Sequence, residues 1–132
     1  MGDATDALEI EVSRPFEHVV LVVLTGEIDI LSSADLASRL AVVASKAAVF
    51  VVVDLAGITF IDSSGIHALV NAVRTAERNG GSAVLAAPAP GPGRVFEITR
   101  LADVVPVERT REQALARRFI AAPPRGPEDE PL

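Results

Sequence analysis

The chain has 132 residues, no cysteine, tryptophan or tyrosine, and a formal net charge of -6 at neutral pH. Without cysteine there are no disulfides, thiolate nucleophiles or thiolate metal sites, and the acidic balance with 4% aromatics argues against nucleic-acid binding, which uses cations for phosphates and rings for stacked bases. The length suits one domain with its own core, and 49% hydrophobic residues favour a compact α/β domain over disorder.

Residues Met1 to Ala7 carry acids and no apolar run, the pattern of a flexible lead-in, and no stretch approaches the ~20 apolar residues of a membrane span. The expected setting is the cytoplasm, without a membrane partner. Leu8 to Ser13 alternates apolar and polar residues as an edge strand does, and His18 to Leu24 is a β-branched run ending at Thr25-Gly26. Pro15 is expected to break the chain between them, giving a hairpin whose second strand is the more buried. Ser32 to Lys46 reads as a helix, with Leu36, Leu40 and Val43 on one face and Ser32 or Ser33 as its cap.

Val49 to Val53 is a nearly continuous apolar run, as in a central strand covered on both faces of a parallel sheet. Ser63 or Ser64 then opens a helix to about Asn79, with Ile66, Leu69, Val70 and Val73 as its stripe and Asn79-Gly80-Gly81 as its stop. A strand at Ser82 to Ala87, a turn-rich loop at Pro88 to Gly93, a short helix at Arg94 to Leu101 and a last strand at Val104 to Val107 follow. The final helix, Thr110 to about Ile120, starts with a capping box between Thr110 and Gln113. Residues 122–132 are acidic and proline-rich, the composition of a disordered tail. The expected order is ββαβαβαβα, a mixed sheet with a largely parallel core packed against helices, in a single domain over residues 8–121.

The richest stretch is Ile61-Asp62-Ser63-Ser64-Gly65-Ile66, where the central strand hands over to a helix. A helix start leaves backbone N–H groups without partners and carries partial positive charge, so it takes either a polar cap or a phosphate. Capping alone explains one of Asp62, Ser63 and Ser64. Three polar residues in a row, followed by a Gly65 that lets another backbone approach, exceed that need and point to a phosphorylation switch.

A right-handed crossover places the ends of the two parallel strands on one edge of the sheet, the edge that ligands and partners favour. Gly26-Glu27-Ile28-Asp29 is read as leaving the first strand and the loop Leu55 to Asp62, followed by Ser64, as leaving the second, so Asp29 and Ser64 are expected to be neighbours; the plain alternative is an exposed acidic turn. His67 follows Ser64 by three residues, within reach of a phosphate or partner, although a lone histidine there needs no role beyond facing solvent.

Other chemistries fit poorly. A hydrolase built on Ser64, His67 and an acid lacks the Gly-x-Ser-x-Gly elbow, and its base would sit on the nucleophile's own helix turn. Asp54 after a buried strand suggests a phosphoacceptor aspartate, but the acidic pair and late lysine of such receivers are missing. Gly91-Pro92-Gly93 supplies too few N–H groups to cradle phosphate, and His18, His67 and the scattered acids have no metal-ligand spacing. No bound cofactor is expected.

Taken together, Leu24-Thr25-Gly26-Glu27-Ile28-Asp29, Val53-Asp54-Leu55 with Phe60-Ile61-Asp62-Ser63-Ser64-Gly65-Ile66, and Val95-Phe96 through Val107 with Glu112-Gln113-Ala114-Leu115 resemble the STAS-domain family, specifically the bacterial anti-sigma factor antagonists. The resemblance implies a partner-switching protein that, unphosphorylated, binds an anti-sigma factor and frees a sigma factor for transcription. The anti-sigma factor would be an ATP-dependent serine kinase acting on Ser64, and a phosphatase would restore the binding form. Glu27, Asp29, Asp62, Ser63, Ser64, Gly65 and His67 would form the partner surface. His67 stands where the family often has a small residue, and Arg100 where it commonly has Gly. The family also includes non-phosphorylated interaction modules of transport and signalling complexes, which is the alternative role.

Overall fold

A computed structural model describes residues 7–87 and 100–120. Five strands lie in sequence order, β1 (Glu9–Phe16), β2 (Val19–Ile28), β3 (Phe50–Ile61), β4 (Ser82–Ala86) and β5 (Val107–Glu108), with β1 antiparallel to β2 and all later neighbours parallel. The helices are α1 (Ile30–Ala44), α2 (Ser63–Arg78) and α3 (Arg111–Ile120), with a 3₁₀ turn at Leu101–Asp103. The mixed, largely parallel sheet expected from the apolar runs is present. The lead-in to residue 6, most of the short helix expected at Arg94 to Leu101, and the tail from residue 122 lie outside the described residues.

Period-two alternation along the strands divides the core between the faces of the sheet. Val20, Val22, Leu24, Val51, Val53 and Leu55 face Leu36 and Leu40 of α1 and Leu69, Ala72 and Val73 of α2. Val19, Leu21, Phe50, Val52, Val84 and Ala86 face Ala114 of α3. Strand β3 is buried on both sides from Phe50 to Leu55, which is why its sequence shows no alternation.

Several boundaries differ from the sequence expectation, each for a physical reason. Pro15 does not break β1: the strand is an edge, where a missing N–H costs no ladder bond, and the register shifts between Ser13 and Phe16 instead. The hairpin turns at Glu17-His18, so His18 belongs to the turn, with a left-handed φ of 64°. Strand β2 runs on through Gly26 and Glu27 to Ile28, and β3 through the expected loop to Ile61, because the two continue to pair beyond Asp54: Thr25 with Gly57, Gly26 with Ile58, Glu27 with Phe60. Two register shifts absorb the residues that resembled turn chemistry. The last strand is Val107–Glu108, where β4 ends, and Val104 precedes it. At α3 the expected box is half present: Thr110 Oγ1 accepts from the Gln113 N–H at 3.0 Å, while Gln113 reaches back to the N–H of Arg109 at 3.3 Å.

Helix α3 is tied to the sheet by an ion pair that no local pattern announces. Asp54, with 6% of its side chain exposed, accepts from Arg111 Nε at 2.7 Å and from the Ala56 N–H at 2.9 Å. Truncating Arg111 to Ala leaves that carboxylate buried with one backbone donor, and should lower unfolding free energy by about 2 kcal/mol. Chemical denaturation checks this. An unchanged midpoint would mean that water replaces the guanidinium without cost. Arg100 adopts a left-handed φ of 58°, a conformation that favours glycine, and pairs with Asp103 at 2.9 Å.

Candidate functional site

The strands β2 and β3 end side by side, Ile28 opposite Ile61, and the Asp62 N–H donates to the Ile28 carbonyl at 3.1 Å. Each strand is followed at once by an aspartate and a helix, so two helix N-termini share one edge of the sheet. Asp29 caps α1: its Oδ1 accepts from the N–H groups of Leu31 and Ser32, both at 3.0 Å, while Ser32 Oγ accepts from the Asp29 N–H at 3.0 Å. This reciprocal box starts α1 two residues earlier than Ser32, and Ser32 serves as the third helical residue. Its signal was present in the sequence as Asp29 and Ser32 three apart.

Asp62 caps α2, and Ser63 opens the helix, one of the two starts the sequence offered. Its Oδ1 accepts from the N–H groups of Ser64 at 2.9 Å and Gly65 at 3.2 Å, and from the Ser64 hydroxyl at 2.5 Å. Ser63 and Ser64 are therefore the first two residues of the helix, Ser63 exposed and Ser64 partly so. With its proton directed at Asp62, Ser64 presents its remaining oxygen lone pairs away from the cap. A single acid holds both the backbone turn and the hydroxyl.

The two aspartates are held charged at neutral pH. Asp62 is lowered from its ordinary 3.8 chiefly by the Ser64 hydroxyl, and Asp29 chiefly by the Ser32 N–H. None of the ion pairs among the described residues involves Glu27, Asp29 or Asp62, so this edge presents acidic charge. Glu27 sits within β2, paired with Phe60, and its carbonyl accepts from Ser32 Oγ at 3.2 Å.

Gly65 is required, though for a different neighbour than expected. A Cβ there would lie 2.5 Å from Ile28 Cγ2 and 2.9 Å from Ile61 Cγ1, so side chains of both strand ends, and not another backbone, press against the helix. His67 is exposed on α2, and the Ser64 hydroxyl donates to Asp62, so the site does not show the serine–imidazole pair that a triad uses. Sequence reasoning missed Ile30, Leu31 and Phe60, large apolar side chains at this edge that are 73%, 85% and 49% exposed.

Residues 9–114 match the STAS domain family, and the chain belongs to it. Among solved structures it is similar to an anti-sigma factor antagonist from Mycobacterium paratuberculosis, at 24% identity and TM-score 0.76 over 84% of this chain and 93% of that one. It is also similar to the anti-sigma factor antagonist SpoIIAA in its unphosphorylated form, at 22% identity and TM-score 0.68 over 86% and 98%; SpoIIAA of Bacillus has also been solved phosphorylated. A sulfate transporter family protein from Wolinella succinogenes shares the fold at 16% identity and TM-score 0.68 over 82% and 90%. No helix of the described residues is long and apolar enough to cross a membrane, and no group of metal-ligating side chains occurs among them.

Proposed function

We propose that the chain is a cytoplasmic anti-sigma factor antagonist that binds an anti-sigma factor when unphosphorylated, so releasing a sigma factor for transcription, and is switched off by phosphorylation at Ser64. The anti-sigma factor is a serine kinase that brings its own ATP, a phosphatase reverses the modification, and the chain itself catalyses nothing. The observation that carries this reading is the Ser64 hydroxyl, held 2.5 Å from the capping carboxylate of Asp62 at a part-exposed helix start.

A phosphate ester at Ser64 removes the proton that Asp62 now accepts and adds about -1.5 to -2 charges. Asp62 keeps the N–H groups of Ser64 and Gly65, so the helix stays capped, while carboxylate and phosphate repel and the phosphate turns outward. Modification therefore alters the surface and spares the fold. Glu27, Asp29, Asp62, Ser63, Ser64 and His67 make up the surface that senses it, while Gly65, buried against Ile28 and Ile61, supports that surface from beneath.

The test is incubation with each purified anti-sigma serine kinase of the source genome and Mg-ATP, followed by intact-mass measurement and site mapping. One added phosphate in the wild type and none in Ser64→Ala is expected. A second reading, a STAS interaction module that is never phosphorylated, is favoured by the likeness to the sulfate transporter family protein. An unmodified chain with every kinase, co-purifying with a transport complex, would establish that reading instead.

A further inference from the structure

Ile30 and Leu31 occupy the first two positions of α1, directly after Asp29, and are 73% and 85% exposed. The core does not use them, since α1 buries Ser33, Leu36, Leu40 and Ala44. The first turn of a helix favours acids and small polar residues, which complement its orphan N–H groups, so two large aliphatic side chains gain nothing there locally. Nor are they loosely held. The Leu31 N–H is fixed on Asp29 Oδ1 at 3.0 Å and the Ile30 carbonyl accepts from Ser33 Oγ at 3.2 Å, which presents both side chains from a rigid turn.

This turn lies on the same sheet edge as Ser64, because Ile28 and Ile61 are opposite one another and each is followed by its capping aspartate. Apolar centre and acidic surroundings specify the complementary partner: an apolar pocket for two aliphatic side chains, rimmed by cations that face Glu27, Asp29 and Asp62. Such anchors concentrate binding energy where water is fully excluded, and the polar rim supplies orientation and rate.

Building on the reading of the chain as a kinase-bound antagonist, we infer that Ile30 and Leu31 are the apolar anchor by which the anti-sigma kinase grips it, seated in an apolar, basic-rimmed pocket. Recognition then has two parts. The acids and Ser64 report the phosphorylation state, and the aliphatic pair holds the partner. A phosphate at the border of this dry contact loses hydration that the apolar pocket does not replace, and this desolvation cost expels the partner.

The experiment titrates the purified kinase, loaded with ADP so that no transfer occurs, with wild type, the double variant Ile30→Ser/Leu31→Ser, and the single variants Leu31→Lys and Leu31→Glu. Wild type is incubated in parallel with kinase and Mg-ATP. All variants should remain folded, because the side chains are exposed, with Leu31→Glu melting slightly above wild type and Leu31→Lys slightly below it from the charge at the helix start. The double variant should bind more than about thirtyfold more weakly, the scale of one interface hot spot or more. Leu31→Lys should weaken binding more than Leu31→Glu, because a cation meets the basic rim. A double variant within twofold of a wild type that does accept phosphate at Ser64 would overturn the anchor and leave the switch standing. Equal losses for Lys and Glu would overturn the basic rim. A wild type that neither binds nor accepts phosphate overturns both readings.

Discussion

A Ser64→Asp variant should bind the anti-sigma kinase about a hundredfold more weakly than wild type, whereas Ser64→Ala should stay within a few fold, as calorimetric titration with ADP-loaded kinase would show. In the wild type the hydroxyl donates to Asp62 at 2.5 Å, so position 64 contributes no charge to the surface. An aspartate there places a second carboxylate against the first. The two cannot share a hydrogen bond while ionised, and Asp62 is held ionised by the N–H groups of Ser64 and Gly65 in addition to the hydroxyl.

The new carboxylate therefore points outward, into the volume a close-fitting partner must fill. Desolvating it there costs several kcal/mol, which sets the hundredfold scale. Acids near a helix start are favourable to the helix itself, so the melting temperature of Ser64→Asp should equal or slightly exceed that of wild type. A large stability loss together with weak binding would trace the effect to misfolding. Equal affinity for Ser64→Asp and Ser64→Ala would remove charge from the mechanism.

The contrast between what the residues announced and what they concealed follows from the range of the interactions. Val49 to Val53 identified a doubly covered central strand because burial on both faces erases alternation, a purely local record. That β2 and β3 end on one edge of the sheet was also legible, since a right-handed crossover between parallel strands leaves few other arrangements. Three things were hidden. Gly26 and Gly57 have turn chemistry, yet they sit in a ladder that the partner strand sustains through two register shifts. The pair Asp54–Arg111 joins residues 57 apart, and nothing near either one signals it. The caps were hidden by ambiguity: Asp62, Ser63 and Ser64 all suit a capping position, and the extended backbone of Asp62 decides in its favour. That decision matters for function, because it frees Ser64 from a structural duty.

The same geometry makes Gly65 sensitive to any added side chain. Gly65→Val should lower unfolding free energy by about 3 kcal/mol, measured by chemical denaturation. Helix propensity alone predicts the opposite or no change, since a glycine within a helix costs roughly 1 kcal/mol relative to alanine. The steric term is larger. A Cβ at Gly65 stands 2.5 Å from Ile28 Cγ2 and 2.9 Å from Ile61 Cγ1, and neither is the free end of a long side chain. Both isoleucines are buried, Ile28 fully, so relief requires α2 to lift away from the two strand ends. Lifting α2 carries Ser64 with it, since Asp62, Ser64 and Gly65 are held by one carboxylate. Gly65→Ala separates the two consequences: with a smaller steric loss partly offset by propensity, it should remain folded at low temperature yet be phosphorylated more slowly than wild type. Wild-type stability and phosphorylation rate in Gly65→Val would mean that helix and strand ends are packed more loosely than these contacts require, and that the switch does not depend on their register.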